Sequence, residues 1–223
     1  MRRAARLPLE QLQPYLLPLP APRRPDAPPP CYDWTEVFGN SHPVEIEVGF
    51  GKGLFLLNAA TAQPDVNFVG VEIERKYQLF GATRMAKRGL TNVRLACADA
   101  RDFLRQRVAD ASVQAVHVYF PDPWWKKRHH KRRVFTEDFA RQCPRILSIG
   151  GRLQVATDVE DYFKRITEIL APIEGLCPRP PPEEHEPVHD CDYLTNFERK
   201  FRKEGKTIFR ATYECRTVGE RGV

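Results

Sequence analysis

Residues 44 to 53 read VEIEVGFGKG, and the fold of the chain turns on how that stretch is taken. VEIEVG is a short β-branched run, as strands are. It closes on Glu47, Gly49, Gly51 and Gly53 in the form E-x-G-x-G-x-G, just ahead of a helical pattern. Glycines at the carboxyl end of a strand let a ligand approach the backbone closely, although glycines alone also fit a simple turn. A dinucleotide fingerprint, G-x-G-x-x-G, would need a glycine at position 54, where this chain has Leu54. A hydride-transferring NAD enzyme is therefore disfavoured.

Outward from this stretch, short runs rich in β-branched residues recur: NFVGVE at 67–72, NVRLAC at 92–97, VQAVHVYF at 113–120 and GRLQVAT at 151–157. Segments near 53–62, 74–89, 100–109, 136–148 and 159–170 separate or follow them, with lengths and apolar spacing suited to the crossover helices that a parallel sheet requires. The alternation predicts a Rossmann-like, doubly wound α/β domain. Further on, YLTNFERKFRKEG predicts a turn or short helix and KTIFRATYEC a final strand.

Proline gathers in residues 8–43 and 172–187, where its fixed φ and missing donor oppose regular structure. Residues 1–34 are expected to form a loosely ordered proline- and arginine-rich extension, and 35–223 the catalytic domain, interrupted by a long loop near 172–191. The apolar stretch YLLPLPAP is broken by proline and too short for a signal core or a membrane span. The six cysteines lie far apart with no C-x-x-C pair, which favours free thiols over disulfides or zinc. A cytoplasmic protein is expected.

Lys and Arg number 35 against 29 Asp and Glu, an excess of six. Lys126, Lys127, Arg128, Lys131, Arg132 and Arg133 equal that excess on their own, so the positive charge is a local patch suited to a nucleic-acid partner. Such blocks also occur as solvated or nuclear-targeting clusters. His129 and His130 amid these cations make a poor site for a dication, and no metal is expected.

Three acids end three successive strands. Glu47 stands at the first, Glu72 at the second, where it can accept both ribose hydroxyls, and Asp99 after the third, where it can meet an adenine amino group or simply cap the next helix. This combination resembles the class I S-adenosylmethionine-dependent methyltransferases. The resemblance implies a mainly parallel sheet of about seven strands with an antiparallel edge strand. It also implies a bound S-adenosylmethionine, with Glu47, Gly49, Gly51 and Gly53 beside its methionine part, Glu72 at the ribose and Asp99 at the adenine.

The loop after the fourth strand borders that pocket at the sheet's switch point, where substrates enter doubly wound folds. It reads FPDPWW, with Asp122 held between two prolines and Trp124 and Trp125 offering flat faces. Taken structurally, Asp122 is a turn former and the tryptophans are loop anchors. The whole stretch F-P-D-P-W-x-K-x-R-H-x-K-R-R, with ATD at 156–158 and T-x-F-E at 195–198, is similar to the tRNA (guanine-N7)-methyltransferases over roughly residues 35–215. By position, Asp122 matches that family's active-site acid, beside the cofactor. Lys126 and Asp158 match its substrate contacts, and Thr195, Asn196, Phe197 and Glu198 its substrate-binding tetrad.

The implied acceptor is guanosine at position 46 in the tRNA variable loop. Guanine N7 carries an in-plane lone pair and no proton, so no general base is required. Catalysis then rests on alignment and on stabilising the positive charge that moves onto the base. Lys127, Arg128, Lys131, Arg132 and Arg133, with Arg199 and Lys200, are expected to hold RNA phosphates. Two rivals remain at this point: an amino-directed nucleic-acid methyltransferase, which usually carries a second proline where this chain has DPW, and a non-catalytic RNA-binding protein on the same scaffold.

Overall fold

The sheet is built outward from β1 (Val44–Val48) in a computed structural model that describes residues 7–21, 28–181 and 195–217, with the backbone alone for Lys127. Val44, Ile46 and Val48 point into one hydrophobic layer. Glu45 and Glu47 fall by the two-residue period of a strand on the opposite face. β1 pairs in parallel with β2 (Asn67–Glu72) on one side and with β4 (Val113–Tyr119) on the other. With β3 (Val93–Cys97), β5 (Leu147–Thr157), β6 (Leu176–Arg179) and β7 (Phe209–Cys215), the order is β3-β2-β1-β4-β5-β7-β6. β1 and β4 adjoin although two other strands separate them in the chain, and their carboxyl ends form the switch point of the sheet.

The seven-stranded, mainly parallel sheet agrees with the sequence reading. β7 is the antiparallel strand and lies one place in from the edge, between β5 and β6. β6 occupies the start of the stretch expected to be all loop. Pro178 is tolerated there because an outermost strand needs ladder bonds on one side only. β5 begins at Leu147, before the expected 151. Its register against β4 shifts between Val113 and Ala115, beside Gly150 at φ +80°, a conformation that glycine adopts without strain.

The helices are α1 (Leu9–Leu12), α2 (Trp34–Phe38), α3 (Leu54–Ala62), α4 (Arg75–Arg88), α5 (Ala100–Arg107), α6 (Glu137–Ile146), α7 (Glu160–Leu170) and α8 (Asn196–Lys203). α5, α6 and α7 bury Phe103, Leu104, Phe139, Ile146, Ile166 and Leu170 against the Val44–Ile46–Val48 face. α3 and α4 cover the other face with Phe55, Leu56, Ala82 and Met85. Close approach there is enforced at Gly70, where a Cβ would lie 2.6 Å from both Leu56 and Phe50.

Part of the extension expected to be loosely ordered is packed instead. Leu12 is wholly buried, Leu16 bridges to Leu95 of β3, and the Leu17 N–H donates to the Leu95 carbonyl at 2.9 Å. The Arg107 guanidinium holds the Pro20 carbonyl at 2.7 Å. Proline removes a donor but leaves the leucines free to bury their side chains, and the segment covers an edge that would otherwise stand open. Tyr32 and Trp34 stack on one another, and Tyr32 meets Phe103, so the packed domain also begins before residue 35. Leu12→Ala is expected to cost about 2–4 kcal/mol of folding stability, read as a lower urea midpoint with unchanged slope.

Candidate active site

After β1 the chain runs through Gly49, Gly51 and Gly53 at φ +72°, +51° and +65°, a region costly for any residue with a Cβ. Phe50 turns inward and is buried between β2 and α4, while a Cβ on Gly49 or Gly51 would meet nothing within 4 Å. One side of the loop is thus anchored and the other is open backbone. The Gly51 N–H donates to Glu72 Oε2 at 3.0 Å and the Glu74 N–H to Glu72 Oε1 at 3.1 Å, which fixes that carboxylate at the end of β2. The Arg84 guanidinium reaches from α4 to the Lys52 carbonyl at 2.9 Å and ties the loop's outer turn.

Glu47 is 3% exposed, and its Oε2 has no hydrogen-bond partner among the described residues. Burial, aided by the charge of Glu72, pushes its carboxyl up to about 8. A carboxyl kept in that state is poised for a cationic ligand. These groups fit the methionine end of S-adenosylmethionine, which carries an amine and a sulfonium.

Asp99 sits after β3 and caps α5, accepting from the Arg101 N–H at 2.9 Å. The Arg101 side chain also grips both of its oxygens, at 3.1 and 2.6 Å, and this pairing holds the carboxyl below its ordinary range. Of the two readings of Asp99, the cap is the one the hydrogen bonds display. Beside Glu72, Ile73 lies exposed and offers an apolar face to the same rim.

Beyond β4 the loop is strained: Phe120 and Trp124 adopt φ +52° and +43°, outliers for bulky side chains that concentrate at functional sites. Phe120 packs on Phe197 and Phe201 of α8. Trp124 is held edge-on by His129 and covered by the Arg132 guanidinium, whereas Trp125 is 67% exposed. Asp122 is exposed, accepts no hydrogen bond from the described residues, and lies within electrostatic reach of Tyr162.

The basic run forms a 3-10 turn over Lys127–Arg132. Lys126, Arg128, Lys131 and Arg132 are exposed. Arg133, expected to contact phosphate, is half-buried: its Nε donates to the Pro123 carbonyl at 2.7 Å and its guanidinium lies over Tyr162. Its planar fork suits that brace, and it fixes the backbone next to Asp122.

Thr195 caps α8, its hydroxyl accepting from the Glu198 N–H at 3.0 Å. Glu198 is buried and accepts from Arg202 at 3.0 Å and Arg210 at 2.6 Å. Asn196 is half-buried and Phe197 is 51% exposed beside Phe120. Asp158 accepts from Lys206 at 3.0 Å. Arg199 is half-buried, and Lys200 is exposed on the same helix.

A buried polar chain went unread in the sequence. Glu45 and the Tyr119 hydroxyl lie 2.8 and 2.9 Å from the two ring nitrogens of His117, and Tyr119 donates to Gln154 at 3.0 Å. Tyr119 is held well above its ordinary range by burial and by the charges of Glu47, Glu45 and Glu198. Glu47 of the rim, Glu45 and the α8 acid Glu198 therefore all act on one phenol. A histidine inside a mostly apolar strand, next to the two alternating glutamates of β1, was the available signal.

Strand order, glycine rim and a buried acid with one unpartnered oxygen together define the class: an α/β methyltransferase of the S-adenosylmethionine-dependent kind. Two solved structures share the fold. The 16S rRNA methyltransferase KamB superposes at a TM-score of 0.59, with 16% identity, over 82% of this chain and 92% of that one. The aminoglycoside resistance methyltransferase NpmB1 does so at 0.57, with 17% identity, over 82% and 91%. Residues 41–211 match a family model described as "Putative methyltransferase". The tRNA (guanine-N(7)-)-methyltransferase of Rhodopirellula baltica is 45% identical over 187 residues, 81% of this chain and 69% of that one. Its counterpart in Aliivibrio salmonicida is 36% identical over 177 residues, 79% and 74% respectively. The chain belongs to the tRNA (guanine-N7)-methyltransferase family and is an S-adenosylmethionine-dependent methyltransferase.

Proposed function

We propose that this chain methylates N7 of guanine in tRNA, at the guanosine of position 46 in the variable loop, and works in the cytoplasm. One observation carries the reading: at the switch point the fold leaves two acidic side chains facing the site, buried Glu47, whose Oε2 has no hydrogen-bond partner among the described residues, and exposed Asp122, which accepts none from them. Bound S-adenosylmethionine supplies an electrophilic methyl group. Glu47 would meet its cationic end, Glu72 its ribose and Asp99 its adenine, with the open faces of Gly49 and Gly51 giving it room and Gly53 starting the helix beneath.

On the acceptor side the target has no proton to lose, so the chain's residues need only place and polarise it. Phe197, exposed beside Phe120, is a platform on which a flipped base stacks, which offsets a flipping cost of about a few kcal/mol. Asp122 is an acceptor matched to the N1–H and N2–H edge of guanine, and Asp158 and Glu198, already held by Lys206 and by Arg202 and Arg210, share that recognition through their remaining lone pairs. Lys126, Arg128, Lys131 and Arg132 face solvent where phosphates of the variable region would run, with Arg199 and Lys200 on α8. Among the described residues no helix is long and apolar enough to cross a membrane.

Incubation of the chain with an unmodified tRNA transcript and methyl-labelled cofactor, followed by nucleoside analysis, tests the reading. Label is expected in 7-methylguanosine and is lost when guanosine 46 is replaced by adenosine. Label on an exocyclic amine, or none on tRNA, overturns it.

A further inference from the structure

Arg101 holds two surfaces at once. Its Nε and Nη2 bind the two oxygens of Asp99 at 3.1 and 2.6 Å, and its Nη1 donates to the Lys131 carbonyl at 2.9 Å. Asp99 belongs to the rim after β3, and Lys131 lies thirty residues on, inside the basic 3-10 turn. A guanidinium presents five donors in one rigid plane, so moving either acceptor rotates the donor that serves the other. An arginine that merely supported the α5 cap would need only the Asp99 contacts. The third bond crosses to the element that carries the exposed cations.

We propose that Arg101 is a positioning residue for the reaction, a strut through which an occupied adenine subsite sets the basic turn in register for RNA. The inference rests on the function proposed above. Asp99 is an acceptor with about four lone-pair sites, so it can take an adenine amino group while keeping Arg101. A ligand seated there restricts the carboxylate, hence the guanidinium plane, hence the backbone at Lys131. Ordering paid for by the first ligand is not charged to the second, which makes the coupling positive. By thermodynamic reciprocity tRNA tightens the cofactor by the same factor.

Arg101 also lines a surface cavity of about 400 Å³ with Arg105, Thr136 and Arg141, so truncating it opens no void in the core. Arg101→Ala is therefore expected to fold, with a melting temperature near that of the parent.

The test is a titration of the full chain with tRNA, with and without S-adenosylhomocysteine, which fills the rim without reacting. In the parent chain the cofactor product is expected to tighten tRNA by about five- to tenfold. In Arg101→Ala the two titrations coincide, and the KM for tRNA rises by more than kcat falls. Asp99→Asn, which keeps the shape and weakens the grip, loses the same coupling. Arg101→Lys restores only part of it, since an ammonium cannot span three acceptors in one plane. Equal tightening in Arg101→Ala and the parent, or no tightening in the parent, overturns the proposal. Failure of the parent to bind either ligand overturns the proposed function and this inference with it.

Discussion

Glu47→Gln is expected to give a protein that is more stable than its parent and holds S-adenosylmethionine about 100-fold more weakly. Both effects come from one atom. Glu47 Oε2 is buried without a partner among the described residues, and the carboxyl is pushed up to about 8 by burial and by Glu72. In the unfolded chain the same group ionises near its ordinary value of 4.5. A raised folded value means that stability from this site is fully present below 4.5 and is lost as pH climbs through about 8. Across that window folding must take up a proton or bury a bare charge, at a cost on the order of a few kcal/mol. Glutamine is nearly the same shape and has no charge to bury. The difference in melting temperature between variant and parent should thus be small at pH 5 and grow to about 5 °C or more at pH 8.

Binding runs the other way. A cationic ligand stabilises the ionised form of Glu47, so below pH 8 the parent should release close to one proton as the cofactor binds, and above it almost none. Calorimetry in buffers of different ionisation heat reads this proton directly. The parent's affinity should rise between pH 6 and pH 8, while the glutamine variant stays flat. A variant as pH-dependent as the parent would remove Glu47 from the cofactor site.

The central architecture was legible because it rests on local signals. Short β-branched runs, crossover-length helices and a glycine series each reflect backbone geometry that sequence states openly. What stayed hidden depends on contacts between distant segments. Leu12 and Leu16 sit in a stretch whose prolines argue for disorder, and only the uncovered edge of β3 gives them something to bury against. Pro178 argues against a strand except at an outermost position, which composition does not reveal. In the candidate site, Glu47, Glu72, Asp99 and Asp122 were legible as strand-end and loop acids. Arg133 and Lys131 look alike as members of a cationic run, yet one braces Pro123 from within and the other faces solvent. Glu198 reads as one of four substrate-binding residues in T-x-F-E, and the two guanidiniums that pin it come from the next turn of its own helix and from β7.

Asp122→Asn is expected to lower kcat by about 10²- to 10³-fold while changing the affinity for tRNA and for cofactor by no more than about threefold. The side chain is exposed and accepts no hydrogen bond from the described residues, so folding does not depend on its charge and the melting temperature should not move. Its backbone is a different matter: Pro121 and Pro123 flank it, and Arg133 clamps the Pro123 carbonyl, so the backbone that carries the carboxylate is held in place before any substrate arrives. A charge in water does little work at short range. Once a base stacked against Phe197 covers the loop and displaces solvent, the same charge faces a guanine that becomes positive as N7 gains its methyl group. The interaction is therefore larger in the transition state than in the ground state, and its removal appears in kcat and not in binding. Asp122→Glu keeps the charge but moves it outward by one methylene, and should lose roughly tenfold through misplacement alone. Single-turnover rates at saturating tRNA and cofactor separate the three chains. Equal rates for the parent and Asp122→Asn would leave alignment alone, without a fixed negative charge, as the source of the acceleration.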